Sequence, residues 1–248
     1  TCDVIQWCRE NRNMQNTTRQ QKGEDHMIYR LIYTGQLKEG VTKESFKEAL
    51  NCCKRPECIV TLSVILWKER FFLYYESKDD ESITPEYLFE GIEKYLEAWP
   101  GEPEKRYFIR MYDIFHYNRP VVDEEWMRHQ PSFPYAWLMK IKPDMLGSYI
   151  FYHQQMQEET PGCGNKYGII CVHENLLLFY IENPDYPNSL CFKGKLNTHN
   201  SPKNWPELMN EHFAPWPDTD PPIQWRKDTE LIFHFEKIVP MPKLDNLG

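Results

Sequence analysis

The chain has 248 residues, 41% of them hydrophobic, 27% charged and 15% aromatic, and a net charge of −8. That length fits one large domain or two small ones. The acidic balance and the lack of any basic run exclude a phosphate-reading surface, and no apolar stretch reaches the ~18 residues of a membrane span, so neither nucleic acid nor membrane is an expected partner.

Residues 1–26 are polar, carry no apolar core of a signal peptide, and read as a loosely packed N-terminal extension. The chain begins at Thr1 rather than Met, which leaves room for an upstream segment. Met27 to Tyr33 is an apolar run with aromatic and branched residues, the pattern of a strand. Thr42 to Asn51 starts on Thr, is acidic early, and places Phe46, Ala49 and Leu50 at helical spacing. Ile59 to Ile65 and Arg70 to Tyr75 read as a hairpin. Pro85 to Trp99 reads as a second helix and Tyr107 to Tyr117 as a closing strand. Residues 119–134, with Pro120, Pro131, Pro134 and several charges, predict an exposed linker. The order then repeats. Tyr135 to Ile141 is a strand, Asp144 to Glu159 a helix, and Tyr167 to His173 with Leu176 to Glu182 a hairpin turned at Glu174-Asn175. Trp205 to Phe213 is a helix and Glu230 to Phe235 a final strand. Residues 237–248 form a tail.

The fold class is therefore α+β, in two ferredoxin-like halves, 27–118 and 135–236. The closing strands match, Asp113-Ile114-Phe115-His116-Tyr117 against Leu231-Ile232-Phe233-His234-Phe235. Both second helices run into a Trp-Pro step, Trp99-Pro100 and Trp216-Pro217. A four-stranded sheet with helices on one face leaves its other face bare and apolar. Two such sheets in one chain can cover each other, which predicts a pseudo-dimeric α+β barrel. Whether two chains pair further, as a homodimer, stays open. His116 and His234 occupy matching places, and their repetition points to a structural position between the sheets.

Eight cysteines, Cys2, Cys8, Cys52, Cys53, Cys58, Cys163, Cys171 and Cys191, form an even set. A chain this long and core-rich does not need disulfide staples. Cys52-Cys53 with Cys58 lacks the second knuckle of a zinc site. Reduced thiols in a cytoplasmic protein without metal or cofactor are the expectation.

Tyr149 and His153 stand four apart and share one face of their helix. A phenol beside an imidazole is a plausible acid–base pair, since His titrates near neutrality. The plainer reading is a half-buried pair packed under the sheet. Further motifs follow in order: Lys142-Pro143-Asp144 after the strand, Tyr149-x-x-x-His153, and Tyr167. The strand Asn175-Leu176-Leu177-Leu178-Phe179, then Trp205, then Pro217-Asp218-Thr219-Asp220-Pro221 complete the set.

Over Tyr135 to Phe235 this series resembles the L-rhamnose mutarotase family. The resemblance implies an isomerase that interconverts the anomers of a deoxy or related monosaccharide and needs no cofactor. Tyr149 and His153 would bind the sugar and exchange protons, Tyr167 and Trp205 would contact it, and Asp218 matches an acid of the family's proline-rich loop. Where the family continues Ile-Trp-Pro-Glu, this chain has Met156-Gln157-Glu158-Glu159 and keeps only the final acid, which bears on the identity of the sugar. The first half carries Phe46 and Leu50 at the places of Tyr149 and His153, so only the second half is expected to hold a polar pocket, with His153 pointing into it. Two alternatives stay open. One is a haem-binding or oxygenase-type α+β barrel with His153 as an axial ligand. The other is a sugar-binding or scaffold protein without catalysis.

Overall fold

The computed structural model describes residues 28–78, 83–101, 103–120, 123–159, 164–184 and 194–240. The N-terminal extension, Cys2, Cys8, Cys163, Cys191 and the end of the tail lie outside them. The first half comprises β1 (Tyr29–Leu37), α1 (Lys43–Leu50), β2 (Ile59–Trp67), β3 (Arg70–Ser77), α2 (Pro85–Leu88), a 3-10 turn (Ile92–Tyr95), β4 (Leu96–Glu97), β5 (Ile109–Arg110) and β6 (Tyr112–His116). A short α3 (Asp123–Trp126) leads to β7 (Phe133–Ile141), α4 (Leu146–Glu159), β8 (Ile169–His173) and β9 (Leu176–Asn183). The chain ends with α5 (Trp205–His212), β10 (Phe213–Ala214), β11 (Trp225–Arg226) and β12 (Glu230–Glu236).

Local chemistry explains where the helices stop and start. Thr42 caps α1, its hydroxyl accepting from the Ser45 N–H at 3.2 Å. The continuous helix expected from Pro85 to Trp99 does not form. Gly91 takes φ +82, a left-handed geometry that breaks the helix, and Leu96–Glu97 pairs with β1 instead. The two hairpins turn alike: Lys68 and Glu174 stand at the same point of each and both have φ +53.

The strands form two antiparallel sheets, so the architecture is α+β. One runs β12-β2-β3-β1-β4 with β5 also on β1. The other runs β10-β7-β9-β8-β6 with β11 also on β7. Each closing strand is shared between them, which differs from the single strand expected in each half. Ile109–Arg110 pairs with β1; after Met111 the chain crosses to the second sheet, where Tyr112–His116 pairs with β8. Trp225–Arg226 pairs with β7, and Glu230–Glu236 then crosses to pair with β2.

The sheets face each other. Ile32, Ile65, Phe72 and Tyr74 of one pack with Ala136, Leu138, Ile169, Cys171, Leu178 and Tyr180 of the other. Tyr74 and Tyr180 stack across the interface with ring centres 4.0 Å apart. The two Trp-Pro tryptophans close one end. Trp99 meets His173 edge-on at 4.9 Å, and Trp216 meets Trp67 at 5.0 Å. Each tryptophan thus caps the hairpin of the opposite half. On the outer faces, Phe46 and Leu50 of α1 are buried in an apolar cluster that also takes in Ile232 and Phe233 of the crossed-over β12.

The linker departs from expectation most. Trp126 and Arg128 are both 0% exposed, enclosed between the sheets rather than lying on the surface. Gly35 in β1 is a second tight point. A Cβ there would lie 2.5 Å from the Tyr107 carbonyl oxygen and also overlap the Phe71 ring. Gly35→Ala is expected to lower unfolding stability by about 1–3 kcal/mol, the usual cost of overpacking. Chemical denaturation checks this, and an unchanged midpoint would show that the Phe71 ring yields freely.

Candidate functional site

Tyr149, His153 and Gln157 are the buried residues of α4, four apart, and so form the stripe that faces the second sheet. Tyr149 is 1% and His153 4% exposed. Their ring centres are 4.0 Å apart. Phe115 of β6 and Trp205 at the start of α5 meet the imidazole edge-on at 5.4 and 4.9 Å. His212 and Phe213 stand on the other side of Tyr149, at 5.8 and 5.6 Å.

The His153 Nδ1 lies 2.9 Å from the Tyr149 carbonyl oxygen, one helical turn back. A carbonyl can only accept, so Nδ1 carries the proton and Nε2 the lone pair. His212 is held in the same way, its Nδ1 2.8 Å from the Leu208 carbonyl. Burial pushes the His153 imidazole down to about 4, with the Tyr149 carbonyl acting against the shift and His212 adding to it. Burial also pushes the Tyr149 phenol up, helped by nearby Tyr117. At neutral pH the pair is a neutral imidazole beside a neutral phenol.

Above about pH 6.5 the imidazole is neutral in folded and unfolded chains alike. As the pH falls toward 4 the unfolded chain takes up a proton that the folded one refuses. Stability is expected to be about 2 kcal/mol lower at pH 5 than at pH 7 from this residue alone. Urea titrations of the parent and of His153→Gln at both pH values isolate the effect, and equal losses in the two proteins would remove it.

Gln157, where the family resemblance leads one to expect a ring, has a different task. Its Oε1 accepts the His116 N–H of β6 at 2.9 Å and so fastens the crossed-over edge strand to α4.

The other two expected contacts lie elsewhere. Tyr167 packs in a separate cluster with Ile28, Val60 and Trp126, and its hydroxyl donates to the Trp126 carbonyl at 2.9 Å. Asp218 lies on the proline-rich loop, paired with Lys68 at 2.9 Å and Arg226 at 2.8 Å. Hydrogen bonding to Lys68 holds its carboxyl below the usual range. The structure therefore joins Tyr149, His153 and Trp205, and assigns Tyr167 and Asp218 to contacts between the halves.

The sequence reading missed a charged cluster between the sheets. Arg128 forks onto two buried carboxylates. Its Nη1 and Nη2 donate to Glu76 at 2.6 and 3.2 Å, and its Nε and Nη2 to Glu182 at 2.9 and 2.5 Å. Tyr180 donates to Glu182 at 2.7 Å, Tyr74 to Glu76, and the Trp126 indole to Glu76 at 2.9 Å. The guanidinium lies 3.8 Å over the Tyr167 ring. Burial opposes ionisation of Glu76, and Arg128 outweighs it, so that its carboxyl is held low. A signal was present in the sequence: Tyr74-x-Glu76 and Tyr180-x-Glu182 recur at the same register of the two hairpins.

Surface grooves are present in both halves. One, of about 250 Å³, lies in the first half and is lined by Glu48, Cys52, Glu90, Lys94 and Tyr95 among others, so polar-lined space is not confined to the second half. The other, of about 550 Å³, lies between the end of α5 and the proline-rich loop, with Asn210, Gln224 and Trp225 in its wall. Neither is lined by Tyr149 or His153. Among the described residues no group of three or more His, Cys, Asp or Glu side chains could hold a metal ion, and no helix is long and apolar enough to cross a membrane. Comparison of the chain with family models, curated proteins and solved structures finds no match.

Proposed function

We propose that the chain is an aldose mutarotase-type isomerase on a tandem ferredoxin-like, pseudo-dimeric α+β barrel, acting on a deoxy or related monosaccharide. The strand orders β5-β1-β3-β2 and β11-β7-β9-β8 support the fold reading, since each half places its strands in the same order. The thiols of Cys52, Cys53 and Cys171 suit the cytoplasm that this reading expects.

The observation that carries the activity is the Tyr149–His153 pair. Mutarotation asks for one group to take the proton of the anomeric hydroxyl and another to supply a proton to the ring oxygen, and reclosure of the ring reverses both transfers. A neutral imidazole with a fixed tautomer offers Nε2 as base, and the phenol of Tyr149, whose ring centre lies 4.0 Å from that of the imidazole, offers a proton. Trp205 supplies an aromatic wall for the apolar face of a sugar. Exchange NMR with a panel of deoxy sugars tests the reading: anomer exchange should run faster with the protein than in buffer. No acceleration for any sugar on the panel would sink it.

The enclosure of His153 favours a second reading, a protein that binds a sugar without turning it over. Saturation transfer to a sugar whose anomers exchange at the buffer rate would decide for it.

A further inference from the structure

Glu159, the last residue of α4, gathers donors from the segment that leads into α5. Its Oε1 accepts from the Thr198 hydroxyl at 2.5 Å and the Asn200 N–H at 2.8 Å. Its Oε2 accepts from the Ser201 N–H and the Ser201 hydroxyl, both at 2.7 Å. Gln155, one turn back on α4, adds its side-chain N–H at 2.5 Å. Glu158 secures the start of the same segment. Its carbonyl accepts from the Leu196 N–H at 3.0 Å and its carboxylate from the Lys195 N–H at 2.9 Å. Gly194 lies against the Glu158 backbone with no room for a Cβ.

Every one of these partners of Glu159 is a donor, and two are backbone N–H groups that cannot turn round to accept. Only an ionised carboxylate satisfies them together. Desolvation works against the charge, but the bonds from Thr198, Asn200 and Ser201 outweigh it and hold the carboxyl well below the usual range. Only three residues separate Ser201 from Trp205; Pro202 fixes one φ among them, and Pro206 follows Trp205 in the first turn of α5. The Trp205 ring then meets His153 at 4.9 Å.

We propose that Glu159 is a positioning residue: its carboxylate binds residues 198–201 to the end of α4 and thereby sets the Trp205 ring against His153. The proposal rests on the assignment of His153 and Trp205 to the site. Its role is separate from that of Gln157, which fastens β6.

The test uses the full chain labelled with 5-fluorotryptophan, with the Trp205 fluorine signal assigned through Trp205→Phe. In Glu159→Gln an amide N–H₂ meets donors, so the Trp205 signal should move by more than its linewidth while those of Trp137 and Trp225 stay in place. Ser201→Ala removes one hydroxyl bond and keeps the backbone ones, so it should move the signal in the same direction and less far. In exchange assays Glu159→Gln should raise the sugar concentration needed for half-maximal rate and leave the shape of the pH profile unchanged. A Trp205 signal that stays in place, or a shift shared by all the tryptophans, overturns the proposal. A parent protein that exchanges no sugar removes the mutarotase reading, and the Trp205 signal then still decides whether Glu159 positions the ring.

Discussion

Replacing Arg128 by Ala is expected to cost about 3–5 kcal/mol of unfolding stability, because the change leaves two carboxylates buried without their counter-charge. Glu76 lies on β3 and Glu182 on β9, and both are 0% exposed. Arg128 reaches both from the linker, so the same loss loosens the joint between the sheets. Two further variants separate charge from volume. Glu76→Gln/Glu182→Gln in the Arg128→Met background removes every charge of the central trio and keeps similar bulk, so much of the stability should return. Urea unfolding measures all of these. A change below about 1 kcal/mol for Arg128→Ala would place the cluster in a well-hydrated setting, where ion pairs contribute little.

The second large effect concerns His153. If the pair performs the exchange, His153→Gln should slow it by about 10²–10⁴-fold, the usual worth of general acid–base assistance. Gln is the appropriate replacement because it keeps a donor for the Tyr149 carbonyl. Ala, which serves well for a residue pointing into an open pocket, is unsuitable here. His153 packs against Phe115, Tyr149 and Trp205, and truncation would leave a cavity. The pH profile gives a second signature. An ordinary imidazole base loses activity below pH 6.5, whereas this one, pushed down to about 4, should keep its rate level from pH 7 to about pH 5. Circular dichroism at each pH guards against loss of the fold. Retention of the parent rate by His153→Gln would remove the mechanism.

Elements with a strong periodic pattern were legible from the chain alone. The hairpins at Lys68 and Glu174, the cap at Thr42, and the stripe of Tyr149 and His153 on α4 all express local rules: turn geometry, side-chain capping and helical spacing. The α+β class was legible too, because strand alternation and helical spacing are both local patterns. The broken helix after Pro85 was not, since composition favoured a helix while Gly91 and the pairing of Leu96 with β1 decided otherwise.

Long-range placement belongs to the tertiary structure. Pairing partners are not encoded in period or composition, so the crossing of Tyr112–His116 and Glu230–Glu236 between sheets appears only once both sheets exist. The linker shows why most plainly. Arg128 lies in a proline-containing, charged stretch, which by composition belongs in water. It is buried because the fold brings Glu76 and Glu182, from separate hairpins, to within hydrogen-bond reach of one guanidinium. Tyr167 and Asp218 follow the same logic. Resemblance grouped them with His153, and the actual neighbours, Trp126 for one and Lys68 with Arg226 for the other, come from the packing of one half against the other. The sequence alone determined the hairpins and the helices at Thr42 and Tyr149, because those rest on interactions within a few residues. The tertiary structure decided which side chains share a buried space, because that depends on which strands pair and which faces meet.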